Sequence, residues 1–132
     1  MQPTTQPYGD KIRLVKDFTV KLGALVITVK KGFTSDGASV PQIFWSLGFD
    51  PFSPQSVTAA LVHDILYKAK AFDRKTCDWI FYTLLRENKV GWIKAHVYLF
   101  GVRVGGWLPW SLYSKKTQQT AWKYLLLQNN VL

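Results

Sequence analysis

The sequence predicts an α+β fold, in which a small N-terminal antiparallel β-hairpin or meander is followed by a helical body. Apolar and polar residues alternate on both sides of Gly23, which is typical of two antiparallel strands joined by a tight turn. From Pro54 onward, the apolar residues recur at helical spacing instead. With 132 residues, 48% of them hydrophobic, the chain has the size of one domain with a buried core.

Three segments precede the helical body. Residues 1–10 contain two prolines and a glycine and are predicted to form a flexible arm. Residues 11–31 are β-rich and contain the predicted hairpin. Residues 32–55 are predicted to form a long loop, because Asp-Gly and X-Pro turn signals cluster there. Loops of this length are uncommon in compact domains and often carry function.

Four helices are predicted after this loop. Ser53 is a good N-cap for the first, with Pro54 at the first helical position, and Asp73 is the expected cap of the second. Gly105 and Gly106 are expected to end the third helix. The predicted helices cover residues 53–70, 74–88, 91–104 and 116–127.

The composition favours an anionic partner. The chain has 17 Lys and Arg residues against 8 Asp and Glu, a formal charge of +9, and six tryptophans. Nucleic acid, a phospholipid surface and an acidic protein all suit this balance. The single cysteine, Cys77, excludes an intramolecular disulfide scaffold and is expected to be a buried apolar residue. We expect no signal peptide, because the N-terminus lacks an apolar h-region, and no transmembrane segment, because no apolar stretch is long enough to span a membrane.

A pair of polar residues interrupts the apolar stretch of the first helix. His63 and Asp64 are adjacent there, and Tyr67 lies one turn after His63 on the same face. Burial of an unpaired charge costs roughly several kcal/mol, so such a pair needs partners. Asp78 interrupts the second helix in the same way, and an antiparallel return of the chain would bring it beside His63.

These residues predict a catalytic dyad. A carboxylate bonded to one imidazole nitrogen fixes the tautomer and leaves the other nitrogen free as a general base. The chain lacks a GxSxG nucleophile elbow, so His63 would most naturally activate water. Asp36, Gly37 and Asp64 provide hard oxygen ligands of the kind that Ca²⁺ prefers. Calcium beside the base would polarise an ester carbonyl and stabilise the oxyanion.

The motifs of this region resemble two families. HDxxY at residues 63–67 and DxxF at 78–81 are similar to the antiparallel active-site helix pair of phospholipase A2. The run 33–85, which contains FTSDGASVP, HDILY and DWIF, resembles an uncharacterised protein family common in tailed-phage genomes. The phage family is the closer of the two resemblances.

The resemblance to phospholipase A2 implies roles for six residues. His63 would be the general base, Asp78 would orient it, and Tyr67 would support the network. Asp36 and Asp64 would bind calcium through their side chains and Gly37 through its carbonyl. The function implied is a phage-encoded, calcium-dependent phospholipid hydrolase, located in the host cytoplasm or on the virion. The alternative is a non-enzymatic virion, tail or assembly protein that keeps the fold and uses the polar cluster for stability.

Several other interpretations stay open. The His-Asp pair alone is also typical of a buried structural pair. An HD phosphohydrolase would need further ligands, and the only other histidine, His96, is expected to pack on the third helix. The aromatic and basic C-terminal half suits a subunit interface first, then a phospholipid surface, then single-stranded nucleic acid.

Overall fold

A computed structural model describes residues 2–9, 11–35 and 53–129 of the chain. Within these residues the chain forms five strands, then five helices, and then a sixth strand. The strands are β1 (Thr5–Tyr8), β2 (Lys11–Leu14), β3 (Phe18–Leu22), β4 (Leu25–Val29), β5 (Thr34–Ser35) and β6 (Leu125–Asn129). The helices are α1 (Val57–Ala69), α2 (Arg74–Glu87), α3 (Trp92–Gly105), α4 (Trp107–Leu112) and α5 (Lys115–Trp122). The predicted α+β class, with antiparallel strands before a helical body, is confirmed.

The described strands form two three-stranded sheets, ordered β1-β2-β5 and β3-β4-β6. Every pair in them is antiparallel. The predicted hairpin is β3–β4, in which Phe18 pairs with Val29 and Leu22 with Leu25. Gly23 in its turn has a φ of 59°, a conformation that L side chains rarely adopt, which explains the glycine at this position.

The N-terminal segment differs from the prediction. Residues 5–8 of the predicted flexible arm form β1, which pairs with β2 along its whole length. Pro7 lies in this strand, and β1 is at an edge of its sheet, where a missing backbone N–H is tolerated. Of the predicted loop 32–55, Thr34 and Ser35 form β5, and residues 36–52 lie outside the described residues.

The helix boundaries also differ from the prediction at two places. The first helix begins at Val57 with Ser56 as its N-cap, because residues 53–56 form a turn instead. The helix predicted over residues 116–127 ends at Trp122, and Leu125–Asn129 pairs with β4 as β6. These residues pair with the edge of β4 that β3 does not occupy, so sheet pairing overrides the helical pattern. The short helix α4 lies in a segment for which the sequence predicted no helix.

The core surrounds α1, which is buried on nearly all sides. All residues from Val57 to Tyr67 are buried, and the helix packs against α2 and α5. A helix that is buried all round needs partners for every polar side chain it carries. Helix α1 therefore places His63 and Asp64 in the interior, where the α2 and α3 side chains meet it. In the described part of the chain, no helix has the length and apolar character needed to cross a membrane.

Candidate active site

Helices α1 and α2 bring His63 and Asp78 into direct contact. The Nε2 atom of His63 lies 2.7 Å from Oδ1 of Asp78, and both side chains are fully buried. The two helices form an antiparallel pair with a short connection, so residues 15 positions apart meet at the same level. The structure thus gives the predicted dyad contact, while its catalytic role stays a prediction.

Asp78 is the centre of a wider network. The hydroxyl of Tyr67 donates a hydrogen bond to Oδ1 at 2.6 Å, and Nη1 of Arg103 donates one to Oδ2 at 2.8 Å. Nη1 of Arg74 lies 3.8 Å from the same Oδ2. Asp78 therefore accepts from His63, Tyr67 and Arg103 at once, and two guanidinium groups compensate its charge.

Arg74 connects this network to the end of α3. Its Nη1 and Nη2 donate to the carbonyl oxygens of Val102 and Arg103, each at 3.1 Å. These carbonyls belong to the last turn of α3, and that of Val102 also accepts a hydrogen bond from the backbone N–H of Gly106 at 2.8 Å. Arg74 thereby holds the segment that carries Arg103 against Asp78.

The electrostatic environment keeps Asp78 ionised and His63 neutral. Burial acts to raise the pKa of Asp78, but hydrogen bonds from His63, Tyr67 and Arg103 outweigh it and the pKa is lowered. Burial lowers the pKa of His63 below 6.5, more than Asp78 raises it, and Arg74 lowers it further. Burial and the bond to Asp78 raise the pKa of Tyr67, so its hydroxyl stays a donor.

The second ring nitrogen of His63 is the unusual atom of the site. A neutral imidazole whose Nε2 contacts a carboxylate carries its proton on Nε2, so Nδ1 is an acceptor. This buried Nδ1 has no hydrogen-bond partner among the described residues. The ring is held between Tyr67 and Phe81, with centroid distances of 4.0 and 4.9 Å. A buried acceptor left without a partner costs about 1–3 kcal/mol, which is reasonable if the atom serves a reactant.

One of the three implied calcium ligands lies in the described part of the chain. Asp64 is buried on α1, and its Oδ2 accepts a hydrogen bond from Nζ of Lys68 at 3.2 Å. Asp36 and Gly37 lie outside the described residues. Among the residues that are described, no group of three or more His, Cys, Asp or Glu side chains could hold a metal ion. The calcium site stays a prediction.

The sequence analysis did not identify Arg74 and Arg103 as partners of Asp78. Arg74 and Asp78 are four residues apart on one helix, a spacing that brings side chains together and would have indicated the contact. Arg103 lies 25 residues beyond Asp78, next to the buried Val102 on α3. A lone arginine near an apolar face is a weaker signal, because its partner depends on how α3 packs.

Two other sequence predictions concern residues near the site. Cys77 is buried, and burial raises its pKa to about 12, so its thiol is not a nucleophile at neutral pH. His96 is half-buried and packs against the rings of Tyr82 and Trp92, at centroid distances of 4.8 and 4.5 Å. Both side chains have the packing roles that the sequence predicted.

Comparison with known proteins places this helix pair in a family. The family described as "Protein of unknown function (DUF1353)" matches residues 12–102. The chain belongs to this family. The matched region contains α1, α2 and most of α3, and ends one residue before Arg103.

A relative within the curated proteins is similar over about two thirds of the chain. The "Uncharacterized protein y4jT" of Sinorhizobium fredii (strain NBRC 101917 / NGR234) is 35% identical over 88 residues. The alignment covers 66% of this chain and 26% of the relative, so the match spans about a quarter of that protein's length. No solved structure matches the chain.

Gly106 is expected to be essential for the geometry of Tyr67. A Cβ atom at this position would lie 2.4 Å from the carbonyl oxygen of Val102, 2.7 Å from the Tyr67 hydroxyl and 3.1 Å from Nη1 of Arg74. Gly106→Ala should therefore lower the free energy of unfolding by about 1–3 kcal/mol, because this network has no room for a methyl group. Urea denaturation measures the change. Gly91→Ala is the matched control, since a Cβ there would meet nothing within 4 Å, and equal stability of the two variants would contradict the prediction.

The lowered pKa of His63 predicts a loss of stability in mild acid. Below pH 6.5 the unfolded chain binds a proton on His63, whereas the folded chain does not until its lower pKa is reached. The free energy of unfolding should therefore fall as the pH drops below 6.5, by up to about 1.4 kcal/mol per pH unit from this group. Urea denaturation between pH 7.5 and 5.5 tests this. His63→Gln should show a shallower decline than His96→Gln, and identical slopes would disprove the assignment.

Proposed function

We propose that this protein is a phage-encoded, calcium-dependent ester hydrolase of the phospholipase A2 type that acts on phospholipid. One observation carries the proposal. A neutral imidazole is bonded through Nε2 to an ionised carboxylate, and its Nδ1 has no protein partner among the described residues. This arrangement is what a general base for water requires.

In the proposed reaction, Nδ1 of His63 removes a proton from water as the water oxygen attacks the ester carbonyl. The imidazolium that forms is stabilised by Asp78, which stays ionised because Tyr67 and Arg103 also bond to it. When the tetrahedral intermediate collapses, the C–O bond to the alcohol breaks and His63 returns the proton to the departing oxygen. Since His63 has no exposed surface, its surroundings must open for water and substrate to reach Nδ1.

Calcium would supply positive charge for the developing oxyanion when it is bound. Asp64 follows the base directly on α1, and its carboxylate is a hard donor of the kind that calcium prefers. It fits the role implied for it in chemical type, with Asp36 and Gly37 as the other implied ligands.

The surface of α3 and α4 suits attachment to an anionic bilayer. Large apolar side chains are exposed along these helices, among them Ile93, Phe100, Trp107 and Leu112, whose exposed fractions range from 59% to 72%. Residues 88–132 contain six Lys and Arg residues and no Asp or Glu. Exposed Trp, Phe and Leu combined with basic residues are typical of helices that lie in a phospholipid interface.

Fatty-acid release from anionic phospholipid vesicles tests the proposal. We expect release by the full chain in the presence of calcium and a drop to background after calcium is chelated. Zwitterionic vesicles should be hydrolysed more slowly, because they lack the charge that attracts residues 88–132. Background release with calcium would remove the hydrolase proposal, and equal release with calcium and with chelator would remove the metal from it.

A second candidate function is that of a non-enzymatic phage virion, tail or assembly component. The complete burial of His63, Asp64 and Asp78 favours it, because a buried and well-connected polar cluster can serve stability alone. The exposed apolar face of α3 and α4 would then contact a neighbouring subunit. This candidate predicts background hydrolysis by the wild-type chain under every condition above.

A further inference from the structure

A basic cavity lies on the side of α1 where Lys68, one of its lining residues, bonds to Asp64. It has a volume of about 420 Å³, within the range of small-molecule sites. Its walls come from β2, from β5 and the segment before it, from α1, and from α5 and the turn after it. Its polar lining residues in the described part of the chain are Arg13, Thr34, Lys68, Lys116, Thr117, Thr120 and Tyr124.

The polar groups of this cavity are matched to an anion. Three lining residues are cations, namely Arg13, Lys68 and Lys116, and four carry hydroxyl groups. No carboxylate is present among the described lining residues. Asp64 bonds to Lys68 at 3.2 Å and offsets one of the three charges. The remaining charge of about +2 balances the charge of a phosphate dianion, about −2 at neutral pH, whereas a carboxylate carries only −1.

Arg13 is held in a fixed orientation and has an unused donor. Its guanidinium carbon lies 3.8 Å from the centroid of the Tyr8 ring, so the planar group is stacked on β1. Its Nε atom is buried and has no hydrogen-bond partner within the described part of the chain. Because this atom is closed off from solvent, an anion in the cavity would bond to the terminal Nη1 and Nη2 atoms instead. Oxyanions of phosphate accept such bonds in pairs from one guanidinium group.

We propose that this cavity binds a phosphate group, with Arg13, Lys68 and Lys116 as its cationic ligands and the threonine hydroxyls as further donors. The site takes the oxyanion chemistry shared by free phosphate and a phospholipid headgroup. Lys68 is one turn beyond Asp64 on α1, so a bound phosphate would lie next to the candidate active site. The inference stands on the cavity itself and does not depend on hydrolysis.

Isothermal titration calorimetry with inorganic phosphate tests the site at constant ionic strength, with chloride as the balancing anion. We expect saturable binding to the full chain, and at least about tenfold weaker binding to Arg13→Gln and to Lys116→Gln, because each variant loses a charge-assisted hydrogen bond. Lys75→Gln is the matched control, since Lys75 is exposed on a helix and does not line the cavity. Unsaturable binding, or equal affinity of all four proteins, would overturn the proposal.

Two further binding measurements test this site independently of the proposed hydrolysis and identify the source of the phosphate. His63→Gln should bind phosphate like the wild type, and this result would hold even if the chain hydrolyses nothing. Tighter binding of glycerophosphoglycerol than of inorganic phosphate would assign the site to a lipid headgroup. The reverse order would assign it to free phosphate. Lys116 is exposed, so the Lys116→Gln result stays interpretable even if Arg13→Gln fails to fold.

Discussion

The His63→Gln variant is expected to keep its fold and to hydrolyse phospholipid about 10²–10⁴-fold more slowly than the wild type. Glutamine has nearly the volume of histidine, and its amide can still donate a hydrogen bond to Asp78. It cannot accept and return a proton, however, so the variant removes the base and leaves the packing against Phe81 in place. Initial rates of fatty-acid release from anionic vesicles with calcium measure the effect.

His96→Gln is the matched control for this experiment. It makes the same chemical change on α3, at a half-buried histidine that bonds only to the carbonyl of Trp92 among the described contacts. We expect its rate to equal that of the wild type. Equal rates for His63→Gln and His96→Gln, both above background, would show that hydrolysis takes place without His63.

The pH profile adds a readout that a structural role would not change. A base that must be neutral loses activity as it is protonated, and burial lowers the pKa of His63 below 6.5. The acidic limb of kcat/KM should therefore have its midpoint below pH 6.5. A midpoint above that value would contradict the electrostatic description of the dyad.

The contact between His63 and Asp78 was predictable because it depends on local geometry alone. Both residues interrupt apolar helical stretches, and a short connection between antiparallel helices fixes which positions meet. Arg103 was not predictable in the same way. It reaches Asp78 only because α3 packs against α2 and because Arg74 holds its last turn, and both are tertiary features.

The two ends of the chain show where local patterns are insufficient. Pro7 and Gly9 indicate a loop, yet residues 5–8 pair with β2, because an edge strand tolerates proline. Leu125, Leu126 and Leu127 are consistent with either a helix or a strand, since a short apolar run has no distinctive period. The available edge of β4 decides for the strand, and sequence alone does not reveal that edge.

Replacing Asp78 with alanine is expected to lower the free energy of unfolding by about 3–5 kcal/mol. The substitution leaves the Tyr67 hydroxyl and His63 Nε2 buried without an acceptor, and it removes the counter-charge of the partly exposed Arg103 guanidinium. Asp78→Asn should cost less, because the amide oxygen still accepts hydrogen bonds. Urea denaturation at pH 7.5 measures both changes.

Asp73→Ala provides the control, since Asp73 is an exposed carboxylate at the start of the same helix. Its effect should be clearly smaller than that of Asp78→Ala. This destabilisation is expected whether the cluster is catalytic or structural, because it follows from the burial and connections of Asp78 and not from any reaction. Loss of activity in Asp78→Ala therefore does not distinguish a catalytic cluster from a structural one. The His63→Gln variant does, because it removes the base while Asp78 keeps its other hydrogen bonds. A stability of Asp78→Ala within about 1 kcal/mol of the wild type would mean that the buried network is not formed as described.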